Sequence, residues 1–112
     1  VVAVVVLKIR STEYGFKSRR PVTYYIPSWR IISVEARPKY VKITYEAVNG
    51  YEEGGSYSEY VMVELPFDGE KSDEEAMPLA EYLAERIVEM MDDRSVKIVD
   101  MEDLIREVKI VS

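Results

Sequence analysis

The residues with the widest chemical scope in this 112-residue chain are its carboxylates. They gather in three places. Glu52 and Glu53 sit in a glycine-rich stretch; Asp68, Glu70, Asp73, Glu74 and Glu75 precede an apolar periodic segment; Asp92, Asp93, Asp100, Glu102 and Asp103 follow it. Neighbouring carboxylates can act as an acid–base pair or hold Mg²⁺ or Ca²⁺ through oxygen. The stretch DGEKSDEE has neither the ligand spacing nor the distal glutamate of a calcium loop, and acids ahead of a helix also favour its dipole. The sequence has no cysteine and no histidine. That removes Cys/His zinc sites, thiol nucleophiles and Ser–His pairs. NGYEEGG lacks the Lys and Ser/Thr of a phosphate-binding loop. No catalytic residue, metal ligand or cofactor is therefore expected, and a carboxylate-dependent enzyme stands as a secondary alternative.

A second constellation is basic and aromatic. FKSRRPVTYYIPSWR, residues 16–30, contains four cations and no acid within a chain of net charge −6. Residues 1–46 carry nine Lys/Arg against three acids, and residues 47–112 carry six against eighteen. Lys17, Arg19, Arg20, Arg30 and Lys42 could meet phosphates, and Tyr25, Trp29 and Tyr40 could stack on bases. Tyrosine also favours strands, and long cations guard strand edges against unwanted pairing. No nucleic-acid signature organises these residues, so nucleic-acid binding through segment 8–42 is the alternative to a protein-interaction role.

The elements that must position these residues follow from apolar periodicity. Val1–Arg10 is a continuous apolar run, as in a strand covered on both faces. STEYGFKSRR reads as a hairpin tip, and Pro21 opens a strand ending at Pro27, with Val22, Tyr24 and Ile26 on one face. A third strand spans Trp29–Ala36, with Ile32, Val34 and Ala36 inward. Tyr40–Val48 alternates cleanly: Val41, Ile43, Tyr45 and Ala47 in, Tyr40, Lys42, Thr44 and Glu46 out. Asn49-Gly50 and Gly54-Gly55 mark a turn before Tyr57–Leu65. Ala76, Leu79, Ala80, Leu83, Ile87, Met90 and Met91 recur at helical spacing. Pro78 places the start of that helix near Ala76, with Ser72–Glu75 as a preceding turn. The tail repeats VKIV at 96–99 and 108–111, with Asp100 as a candidate N-cap. It fits either two strands or a strand and a short helix.

The pattern predicts a single α+β domain over 1–112. Its antiparallel sheet of five to six strands is meander-like or half-barrel, with one long helix in the C-terminal half packed on one face. Over residues 22–91 the strand-then-helix order resembles pleckstrin-homology-like domains; no functional residue is carried across. The Val-rich first strand and the Tyr-bearing outer face exceed what one helix covers, which predicts a self-associating, homodimeric, non-catalytic interaction module with a protein partner. The absence of cysteine, of a signal peptide and of a run of about 20 apolar residues fits a cytoplasmic protein that is neither secreted nor membrane-bound. The Glu-rich, Cys-free composition is thermophile-like.

Overall fold

The computed structural model describes residues 4–15, 17–48, 56–67 and 69–111. The Asn49-Gly50 turn, Glu52, Glu53 and Asp68 lie outside them, as do Val1–Ala3. The fold is α+β, but among the described residues the strands form two three-stranded sheets beside two helices, so the single five- to six-stranded sheet with one helix is corrected. The first sheet has the order β2-β1-β6, built from β1 (Val5–Gly15), β2 (Ser18–Pro27) and β6 (Lys97–Asp100). The second has the order β3-β4-β5, from β3 (Ile31–Ala36), β4 (Tyr40–Val48) and β5 (Ser56–Glu64). A short 3₁₀ turn, Ser28–Arg30, breaks the chain between β2 and β3 and separates the sheets. Pro27 ends β2, as its missing N–H dictates.

The β1–β2 hairpin is longer than its sequence suggests. STEYG continues β1, and SRR already belongs to β2, with Gly15 opposite Ser18. Lys17 takes a positive φ of 69° in the connection, a backbone state that tight hairpin loops require. Along β1 the alternate residues Val5, Leu7 and Ile9 are buried, while Val6 and Lys8 are half-buried. The described part of the valine run, Val4–Val6, is thus buried or half-buried within one chain.

In β3, Val34 and Ala36 pack against the core as expected, but Ile32 does not. A bulge between Ile31 and Ser33 adds one residue, so Ile31 is buried and Ile32 turns to solvent. Trp29 and Arg30 belong to the 3₁₀ turn and not to the strand. β4 keeps its predicted alternation, with Val41, Ile43 and Tyr45 buried and Ala47 packed against the core.

Helix α1 spans Asp73–Met91 and starts three residues earlier than Pro78 suggests. Ser72 caps it: its Oγ accepts from the Glu75 N–H at 3.2 Å, and its carbonyl accepts from Ala76 at 3.0 Å. Asp73, Glu74 and Glu75 complement the positive end of the dipole. Together these outweigh the hydrogen bond that Pro78 removes. Ala76, Leu79, Ala80, Leu83, Ala84, Ile87 and Met90 form the buried stripe, which lies against β3 and β4.

The tail resolves as strand plus helix. β6 runs parallel to β1 over Val5–Lys8, and α2 spans Met101–Val111. The two VKIV copies therefore adopt different structures. The first lends Lys97–Val99 to a sheet edge. The second ends a helix whose Met101, Leu104 and Val108, at spacings of three and four, are buried. Asp100 Oδ1 accepts from the Glu102 N–H at 3.1 Å, the capping role its position suggests. α2 packs on α1 and β1, so both helices and the inner faces of both sheets share one core. Against the pleckstrin-homology-like order, the split sheet, the parallel strand and the second helix are departures. No helix among the described residues is long and apolar enough to cross a membrane.

Candidate functional site

Strand alternation that sends Val41, Ile43, Val61 and Val63 into the core sends Tyr40, Lys42, Thr44, Tyr60, Met62 and Glu64 to the other face of the second sheet. Neither helix lies on that face. Tyr60 is 59% exposed and Met62 48%. Lys42 sits opposite Met62, and its Nζ lies 4.7 Å from the Tyr60 ring centroid. The cation is thus held over an aromatic face. Glu64 pairs across the ladder with Tyr40, Glu46 with Ser58, and Glu35 of β3 lies opposite Lys42, so the face carries the cation Lys42 near its middle and carboxylates beside it and toward both ends. A hollow of about 810 Å³ continues it from Tyr40 and Met62 past Phe67 to Lys71 and the start of α1.

The eight basic and aromatic candidates fall in separate places. Lys17, Arg19 and Arg20 are exposed at the β1–β2 hairpin end. Tyr25 lies opposite Lys8 on the outer face of the first sheet. Trp29, 63% exposed, and Arg30 sit in the 3₁₀ turn, with the Arg30 guanidinium 4.8 Å from the Trp29 ring centroid. Arg30 Nε is buried without a hydrogen-bond partner among the described residues. Tyr40 and Lys42 belong to the second sheet. The structure thus brings Trp29 to Arg30 but puts Tyr25 and Tyr40 on different sheets. Sequence reasoning passed over Tyr60 and Met62, although alternation along SYSEYVMVE placed them outward.

Of the acids after α1, Asp93, Asp100, Glu102 and Asp103 have structural partners. Asp100 and Glu102 bind Arg10, at 2.9 and 3.4 Å. The Glu102 amide, with Arg10 behind it, holds the Asp100 carboxyl below its ordinary range. The Ser95 hydroxyl and N–H, at 2.7 and 2.8 Å, and Lys97 hold Asp93 lower still. The Tyr45 hydroxyl donates to Glu59 Oε2 at 2.9 Å. Burial, then that carboxylate, pushes the phenol well above its ordinary value. A phenol held protonated is a structural donor and not a base. Among the described residues no group of three or more Asp or Glu side chains is disposed to hold a metal ion.

A cleft of about 430 Å³ lies between the sheets. Residues 9–12 of β1 form one wall, residues 60–64 of β5 the other, and Tyr24, Met101 and Ile105 complete the lining with Glu102. No family model matches the chain, and neither a curated protein nor a solved structure matches it.

Proposed function

We propose that this protein is a non-catalytic interaction module that self-associates as a homodimer through the outer face of the β3-β4-β5 sheet. The observation that carries this reading is the uncovered apolar strip of Tyr60 and Met62 beside Lys42. An antiparallel sheet can tolerate one wet face, but such a face is then polar. Here two large apolar side chains stand at its centre. A second copy suits the face because it is self-complementary in charge. A two-fold axis at the Thr44–Tyr60 pair, midway between Lys42 and Glu46, brings the Lys42 of each copy toward the Glu46 of the other. The hollow beside Tyr40 gives a protruding side chain a seat.

Sedimentation equilibrium at micromolar concentration tests this. The wild type should give about twice the 13.0 kDa chain mass. The double variant Tyr60→Lys, Met62→Lys should give the single-chain mass with unchanged circular dichroism, because both side chains already face solvent. A wild type that stays at the single-chain mass throughout contradicts the proposal.

A further inference from the structure

The cleft between the sheets is flanked on both sides by strand edges without a strand partner among the described residues. β6 covers β1 only over Val5–Lys8, so β1 is open on that side from Ile9 onward. β5 pairs with β4 alone. The two open edges, Ile9–Thr12 and Tyr60–Glu64, face each other across the cleft. One hydrogen bond fixes which groups of β5 look into it. The Leu65 N–H donates to the Lys39 carbonyl at 2.9 Å. In an antiparallel ladder the directly bonded pairs alternate. Val61 and Val63 therefore bond to β4, and Tyr60, Met62 and Glu64 turn their N–H and C=O groups outward to the cleft.

We infer that this cleft accepts an extended peptide of another protein as an added strand, bridging β5 and β1. Backbone groups on both walls ask for an extended chain, since only a strand presents donors and acceptors to two edges at once. The lining sets the side chains. Ile9, Tyr24, Met101 and Ile105 face the inward positions of such a strand, which are apolar. The outward positions meet carboxylates. Glu64 is exposed and in no ion pair among the described residues, and Glu102 is exposed at the same cleft. Arg10, the one cation there, is already bound by Asp100 and Glu102. The matching ligand therefore alternates apolar and basic residues. This surface is the backbone edge of β5, and it shares Tyr60, Met62 and Glu64 with the outer sheet face, so peptide binding is read at a fixed protein concentration, which holds any self-association constant.

The test uses the full chain and synthetic fluorescent peptides of about six residues, the usual strand length. One alternates Val and Lys, one alternates Val and Glu, and one is the Val/Lys peptide N-methylated at alternate amides. The Val/Lys peptide should bind. At saturation it should slow hydrogen exchange at the Tyr60 and Met62 amides, which the free protein leaves open. The acidic and N-methylated peptides should bind about tenfold or more weakly. Glu64→Lys, an exposed position, should lower affinity for the Val/Lys peptide and raise it for the Val/Glu one. Failure of the Val/Lys peptide to bind, equal affinity for the N-methylated peptide, or unchanged exchange at Tyr60 and Met62 overturns the inference. So does concentration-dependent protection of those amides without peptide, which would make a second copy the occupant.

Discussion

Replacing Leu83 by alanine should remove the side chain on which the contact between α1 and the second sheet most depends. Leu83 is fully buried and packs in one cluster with Val41, Ile43 and Ile87. The substitution deletes three carbons. At about 0.8 kcal/mol per buried methylene the lost transfer energy is about 2.4 kcal/mol. A residual cavity of about 60 Å³ adds about 1.4 kcal/mol at 24 cal/mol per Å³. The total, about 4 kcal/mol, falls in the measured range for buried leucines and is a large part of the stability of a domain this size. It should lower Tm by about 15 °C. Urea titration should show the midpoint falling with the slope unchanged, since the surface exposed on unfolding hardly alters. Val88, on the same helix but 49% exposed, is the control. Val88→Ala should lie within about 0.5 kcal/mol of wild type, because it empties no cavity and alanine is the better helix former. If Leu83→Ala matched Val88→Ala, the helix would not pack on the sheet as described.

Three further outcomes are expected. The Tyr45 phenol titrates above its ordinary 10.0 in the folded chain, so its contribution is present below pH 10 and is lost as pH rises further; the urea midpoint should fall at alkaline pH, and less steeply in Tyr45→Phe. Asp93 and Asp100 titrate below their ordinary 3.8, so their contribution is present above that value and is lost as pH falls below it; Asp93→Asn with Asp100→Asn should flatten the acid limb of thermal stability measured against pH. Filter binding of single- and double-stranded DNA and RNA over a salt series should show no tight, steeply salt-dependent complex, because the basic and aromatic candidates are divided between two sheets and a turn; a steep slope made shallower by Arg19→Ala, Arg20→Ala, Lys42→Ala would reverse that reading.

Local pattern revealed the elements better than their assembly. The alternation of VKITYEAV and the spacing of Leu79, Leu83 and Ile87 each needed only one neighbour to satisfy, and both appear as expected. The division into two sheets was not legible, because it depends on the Ser28–Arg30 turn and on a parallel pairing between residues more than ninety positions apart. The bulge that exchanges Ile31 for Ile32 is a matter of register, which the apolar pair alone does not fix. VKIV shows the same limit from the other side: identical residues form a strand beside β1 and a helix beside Leu104, so tertiary partners decide. At the candidate surface, composition drew attention to the cations of segment 16–30. The apolar residues left without cover, Tyr60 and Met62, stand out only once both helices are seen on the opposite face.

In the proposed dimer the outer face of the second sheet, and no other exposed apolar patch, joins two copies. Sedimentation equilibrium of two matched variants tests it most directly: Tyr60→Lys on that face, and Ile98→Lys on β6, where Ile98 is exposed next to Val6 on the first sheet. Tyr60→Lys should sediment as a single chain and Ile98→Lys as a pair. A pair in Tyr60→Lys together with a single chain in Ile98→Lys would contradict it and move the interface to the first sheet.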